Sequence, residues 1–230
     1  EYPICFPKPG WSEQNPYDWF TQSMDGLKEL LDGTDRSLVA GISFGGQMHG
    51  LVALDDKDEV IRPAILWNDG RTTKECDYLN QVIGKERLSA YTANISFTGF
   101  TAPKVLWMKN NEPENFAKIH KIMLPKDYLA FRLSGNYSTD VSDASGTLFF
   151  DVKNRCWSEE MCEICSIKTS WLPKVYESYE EVGTLLPELA KELGVSDQVK
   201  IVAGAGDNAA AAVGTGTVGD GACNISLGTS

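Results

Sequence analysis

The sequence predicts an α/β fold, a mixed sheet flanked by helices, and three observations lead there. Short apolar runs alternate with segments of helical periodicity along all 230 residues. Two of these runs, residues 51–54 and 59–62, are separated only by Asp55-Asp56-Lys57-Asp58 and read as a hairpin, so the sheet is not purely parallel. Near the end, residues 200–214 join an apolar strand through Gly204 and Gly206 to an alanine-rich helix, with Asp207 at the apex. In open α/β sheets, ligands sit beyond the carboxyl ends of strands like that one. Hydrophobic content of 42% and charged content of 23% are ordinary globular values and allow a sizeable core.

In chain order, a helix is expected over 17–31, where Trp19, Phe20, Met24, Leu27, Leu30 and Leu31 fall at helical spacing. Pro16 suits its first turn, and Asp32-Gly33 ends it. Residues 37–43 read as a buried strand running into Phe44-Gly-Gly-Gln-Met-His-Gly50. After the hairpin comes a short strand over 64–67, punctuated by Asn68-Asp69-Gly70, and then a helix over 71–82. A helical piece at 88–91 and a polar loop at 94–101 precede a helix over 103–110, where Pro103 stands harmlessly at the start. A strand over 119–124, a helix over 126–133 and a Ser-, Asp- and Gly-rich loop over 137–149 follow. Helices over 158–165 and 186–193, the strand over 199–203 and a last strand over 221–227 complete the chain.

The net charge of −11 argues against a nucleic-acid surface or an anionic membrane as partner. No apolar run reaches the roughly 18 residues of a membrane-crossing helix. The first residues hold no basic region followed by an apolar one, so they do not read as a secretion signal. They also hold no initiator Met, and the expectation is a chain that begins inside a longer protein. Cysteines at 5, 76, 156, 162, 165 and 223 make no disulfide framework, and Cys162 and Cys165 form a lone C-x-x-C best explained as half-buried thiols on a helix. The expected compartment is the reducing cytosol, a cytoplasmic location.

Three strand ends carry glycine beside polar groups: residues 45–50, 67–71 and 204–208. Brought to one edge of the sheet, they would set Gln47, His49, Asn68, Asp69, Arg71, Asp207 and Asn208 against Met48 and Trp67. Amides, an imidazole, carboxylates and an aromatic wall suit a small polyol, whose hydroxyls need donors and acceptors together. Each residue also has a plainer reading. Asp207 and Asn208 are N-cap types, as are Asn68 and Asp69; His49 could serve only its turn, and Arg71 only a solvated helix face. The joint occurrence is what points to a site.

Phosphate and nucleophile motifs mostly fail. Gly204-Ala-Gly206-Asp-Asn-Ala209 fits a permissive G-x-G-x-x-A, but the acid expected about twenty positions on would fall at Gly228-Thr229-Ser230. Gly214 and Gly219 have Walker spacing, yet Asp220 stands in place of the lysine. Neither protein-kinase motifs nor a G-x-S-x-G elbow occurs.

Gly45-Gly-Gln-Met-His-Gly50, Ile65-Leu-Trp-Asn-Asp-Gly-Arg71, residues 99–111 with Lys104 and Trp107 three apart, and Gly204-Ala-Gly-Asp-Asn-Ala209 together resemble the carbohydrate kinases of the FGGY family. Leu124-Pro-Lys-Asp-Tyr-Leu129 and Ser142-Asp-Ala-Ser-Gly-Thr147 are similar to segments of the same family, and Gln-Met-His-Gly looks most like its bacterial members that act on D-xylulose. The resemblance implies a ribonuclease H-like fold of the actin-like ATPase superfamily. It implies ATP-dependent phosphorylation of D-xylulose, with Mg2+ and with homodimers common among relatives; the alternatives are a kinase for another ketose or gluconate, and a non-catalytic sugar-binding module. By resemblance Asp207 is the general base, and Met48, His49 and Asn208 hold the sugar. Gln47, Trp67, Asn68 and Asp69 would share that cleft. The family opens with a strand carrying Asp-x-Gly-Thr, which is expected to precede this chain. Residues 225–230 resemble the start of a second phosphate hairpin, so Gly228, Thr229 and Ser230 are expected to face phosphate. Residues 1–219 then form the sugar-binding domain and 220–230 open a nucleotide domain, and the 230 residues alone are expected to be inactive.

Overall fold

A computed structural model describes residues 2–225. Its central ribbon pairs two stretches far apart in sequence, both running the same way. Gly41–Ile42 lies beside Lys200–Val202, and a little further on Gly45–Gly46 lies beside Ala205–Gly206. Glu181–Thr184 joins the other edge of Lys200–Val202 antiparallel, with a bulge between Glu181 and Gly183. Ile201 and Val199 are fully buried there and pack with Val182, Leu133 and Leu193.

A second group of strands is antiparallel. Glu13–Gln14 pairs with Ala64–Ile65, Leu51 bridges Ile65, and Val52–Leu54 pairs with Lys121–Met123. The expected hairpin forms but is short. Asp55 Oδ1 accepts from Lys57 N and Glu59 N at its turn, and Asp55 N to Glu59 O and Ile61 N to Ala53 O flank the bridge from Leu54 to Val60. Pro63 has no N–H to extend it, Leu51 bridges Ile65 instead, and the other edge of Val52–Leu54 carries Lys121–Met123. The sheet is still mixed.

Most helices appear where the periodicity puts them. Pro16–Leu30 starts on Asn15, whose side chain accepts from Tyr17 N. The expected helix over 71–82 is Thr73–Asp77 continued by a wider turn, Tyr78–Gly84; Gly84, at φ 101, breaks the chain there, and the separate piece expected at 88–91 is the helix Lys85–Thr92. Thr101–Asn111 begins two residues earlier than expected and buries nearly all its length, Lys104 included. Pro125–Ser134 and Pro187–Leu193 each end on a left-handed glycine, Gly135 and Gly194. The buried strand expected over 37–43 survives only as Gly41–Ile42, because Asp35 caps a short helical turn at Arg36–Leu38.

The loop expected over 137–149 is the clearest departure. Ser138–Asp140 is a strand parallel to Lys174–Tyr176, and Val141–Ala144 is a helix capped by Asp140. Ser138, Thr139, Asp140 and Asp143 are all buried, so these polar residues serve an interior network and not solvent. Residues 221–225 take no regular structure, and the rest of the last expected strand lies outside the described residues, as do Gly228, Thr229 and Ser230. All six cysteines are unpaired; Cys162 and Cys165 lie in the core, where burial pushes the Cys162 thiol up to about 12. Among the described residues no helix is long and apolar enough to cross a membrane.

Candidate active site

The two parallel strands finish side by side, Gly46 opposite Gly206, and the site is built on that register. Gly204 turns the chain with φ +74, and a Cβ there would collide with the Phe44 carbonyl, so only glycine fits. The turn is pinned by Gly204 N to Ser178 O at 3.0 Å and Ala205 N to Phe44 O at 2.9 Å. Gly206 N donates to Ser142 Oγ at 3.1 Å. Helix Asp207–Gly214 follows, and its N-cap is Gly206, so Asp207 is not the cap but the first helical residue. Its carboxylate is exposed. Oδ1 accepts from Asn208 N at 2.9 Å, and among the described residues Oδ2 takes no hydrogen bond.

Met48 reaches across the register to Asp207's neighbours. A Cβ on Gly206 would sit 2.8 Å from Met48 Cγ, and one on Gly146 3.1 Å from Met48 Cε, so two bare glycines make room for the thioether. Met48 Sδ lies 3.9 Å from Asn208 Nδ2. His49 is held from every side in a left-handed conformation, φ 67. Its carbonyl accepts from Lys104 Nζ at 2.7 Å and Thr101 Oγ1 at 3.2 Å, and its ring stacks on Phe100 at 4.6 Å. Nδ1 lies 2.8 Å from the Gly146 carbonyl. A carbonyl only accepts, so Nδ1 carries the proton, and in the neutral ring Nε2 presents a lone pair. Burial lowers the His49 pKa, and the Asp207 charge works against that without reversing it. The imidazole is therefore neutral at neutral pH.

The third strand end is only partly in the cleft. Trp67 is 37% exposed, and its carbonyl lies against Gly99, whose own carbonyl takes Lys104 Nζ at 2.6 Å. The buried Lys104 amine thus ties the segment facing Trp67 to His49. Asn68 is exposed beside Trp67. Asp69 is turned inward, and this corrects its assignment to a ligand. Its carboxylate accepts from Ser12 N at 2.6 Å and grips Arg71 through Nε and Nη2 at 2.9 and 2.7 Å. Arg71 in turn stacks on Trp11 at 3.8 Å and pairs with Glu13, so a buried ion pair, not a solvated helix face, occupies that corner. Gln47 is likewise directed inward, giving Nε2 to Gln14 Oε1 at 3.1 Å, the oxygen that also takes Trp19 Nε1.

A buried cluster behind the turn joins two short stretches, residues 126–127 and 140–143, that the sequence alone does not bring together. Lys126 Nζ meets Asp127 at 2.7 Å, Asp140 at 2.8 Å and Asp143 at 3.7 Å. Burial opposes charge on the ammonium, but the three carboxylates outweigh it and raise its pKa. Burial would also lift Asp140, yet Lys126 and two hydroxyls hold it below the usual carboxylate range. Asp143 has no hydrogen bond to either oxygen, and burial pushes its pKa well up. Lys104, its charge opposed by complete burial, is pushed well down. Among the described residues no group of three or more His, Cys, Asp or Glu side chains is placed to hold a metal, and the nearest acids behind Asp207 are taken by Lys126.

Residues 1–214 match the profile of the FGGY family of carbohydrate kinases, N-terminal domain. The chain is 46% identical over 227 residues to the xylulose kinase of Escherichia coli (strain K12), covering 99% of this chain and 46% of that protein. It is 44% identical over 236 residues to the xylulose kinase of Lactococcus lactis subsp. lactis, covering 100% and 46%. A crystal structure described as a xyloylose kinase from Brucella ovis superposes with a TM-score of 0.90 at 41% identity, covering 96% of this chain and 46% of that one. The chain therefore spans about half the length of the relatives it matches. The fold shared with these structures is the actin-like ATPase fold.

Proposed function

Because this chain belongs to the FGGY family of carbohydrate kinases, we propose that it is the sugar-binding part of an enzyme that transfers the γ-phosphoryl group of ATP to the 5-hydroxyl of D-xylulose. The observation that carries this reading is an exposed Asp207 carboxylate just past the end of a strand, register-adjacent to Met48-His49, with no ion-pair partner among the described residues. An alcohol is a weak nucleophile at neutral pH. Asp207 takes the hydroxyl proton as the sugar oxygen bonds to phosphorus and the bond to ADP breaks, general-base help worth about 10²–10⁴-fold. His49 Nε2 accepts from a sugar hydroxyl, Asn208 supplies both a donor and an acceptor, and Met48, Trp67 and Asn68 bound the cleft. Gln47 and Asp69 act from behind, Asp69 through Arg71.

Residues 1–219 form the sugar domain in this reading, and 220–230 lead into a nucleotide domain, with Gly228, Thr229 and Ser230 facing phosphate. A Mg2+ ion is part of the proposed chemistry. The ion is proposed to arrive with the nucleotide, whose phosphates and waters furnish most of its ligands. The proposal includes a cytoplasmic, homodimeric enzyme. The relatives named xylulose kinase, at 46% and 44% identity, support the choice of sugar. A coupled ADP assay of the full-length protein over a panel of ketoses, gluconate and glycerol tests it. D-xylulose should give the highest kcat/KM; a clear preference for another sugar would refute the assignment while leaving the kinase class intact.

A further inference from the structure

We infer that Ser142, with Asp140 behind it, is a positioning residue for the catalytic carboxylate, fixing the turn that aims Asp207. This rests on the reading of Asp207 as general base. Asp140 is fully buried and held ionised by Lys126, so it can only accept. Ser142 Oγ lies 2.6 Å from Asp140 Oδ2 and therefore spends its one proton there. Its lone pair is left to take the Gly206 amide at 3.1 Å, one residue before Asp207. A second hydroxyl reaches the same carboxylate oxygen: Ser178 Oγ lies 2.7 Å from Asp140 Oδ2, and the Ser178 carbonyl accepts from Gly204 N at 3.0 Å. Both ends of the Gly204–Gly206 turn thus hang from one carboxylate. The other side of the site is tied to the same hub, because the stem of Lys126 packs against Gly46, where a Cβ would sit 2.7 Å from Lys126 Cβ. Gly46 is the register partner of Gly206 and leads into Gln47 and Met48.

The direction of each bond in this relay is set by chemistry, so removing the Ser142 hydroxyl has a definite consequence. The buried Gly206 N–H loses its acceptor and the turn relaxes, while the anchors of His49 on Gly146, Lys104 and Thr101 stay. Misplacing a catalytic group by about 1 Å costs up to about 10²-fold. In the full-length protein, Ser142→Ala should lower kcat about tenfold with sugar KM changed less than about twofold, and Ser142→Thr, which keeps the hydroxyl, should return kcat to within about twofold of the parent. In residues 1–230 the Gly206 amide should exchange its hydrogen at least about tenfold faster in Ser142→Ala than in the parent or Ser142→Thr. The exchange result bears on the relay even if the parent enzyme phosphorylates no sugar, an outcome that would sink the functional reading alone. Unchanged exchange in Ser142→Ala would overturn the relay. Faster exchange with undiminished kcat, or a Thr variant as impaired as Ala, would overturn the positioning role.

Discussion

His49 shows how much a single residue in this site is constrained. Its left-handed backbone is the kind a non-glycine residue adopts only when the surroundings impose it, and here Lys104, Thr101, Phe100 and Gly146 do so. Lys104→Met strips the donor from two carbonyls at once. It should raise the sugar KM about tenfold or more and lower stability by about 1–3 kcal/mol, measured by steady-state kinetics and urea unfolding. The proton on Nδ1 yields a second expectation. With its pKa depressed by burial, the ring stays neutral through the range where an ordinary histidine charges, so Nε2 keeps its lone pair. Sugar affinity should be flat from pH 8 down past about 6.5 and weaken only at lower pH, when Nε2 becomes a donor. NMR titration of His49 beside binding measurements checks this; a loss of affinity centred near pH 6.5 would refute it. Met48, His49 and Asp207 were legible as a set because glycines flank them and strand ends carry them. Lys104 was not, since a lysine within a helix is ordinarily solvated and only packing reveals it as buried. Asp69 was misread for the converse reason: its partners Ser12 and Glu13-linked Arg71 cannot be seen from the local run Asn68-Asp69-Gly70.

Among the elements, the strand–turn–helix over 200–214 was readable from glycine spacing alone, because the chemistry of the turn is local. Gly204 needs positive φ and a bare Cα against Phe44, so Gly204→Ala should cost about 2–4 kcal/mol in equilibrium unfolding, well beyond the usual surface substitution. The helix beginning at Asp207 packs its Ala210 against Gly45, and the turn before it sets its start. Pairings that cross the sequence were the ones missed. Ser138–Asp140 finds its parallel partner at Lys174–Tyr176, and Val52–Leu54 takes Lys121–Met123 on the edge its hairpin leaves open. A polar run such as Ser-Thr-Asp-Val-Ser-Asp carries the composition of a loop whether its hydrogen bonds go to water or to a buried lysine.

At the level of the whole molecule, a chain of net charge −11 places four of its ionisable groups in one interior cluster behind the site. Asp143 works against stability there. Below the ordinary carboxylate range both folded and unfolded chains hold its proton; as pH rises the unfolded chain releases it and the folded chain does not, so stability falls through that window. Asp143→Asn has no proton to lose. It should be more stable than the parent at pH 8 by roughly 1–3 kcal/mol, with the gain vanishing toward pH 3, as read by thermal or urea unfolding across that range. Asp140, held below the usual range, has the opposite sign and gives up its stabilisation as pH falls toward 3. Among the described residues, the fold sets Asp207, neither buried nor paired with a cation, beside the neutral groups of Met48, His49 and Asn208. The most direct test is therefore Asp207→Asn in the full-length protein, with D-xylulose binding and turnover measured separately. The account predicts a fall in kcat of at least about 10²-fold with sugar affinity kept within about threefold; turnover within tenfold of the parent would contradict it.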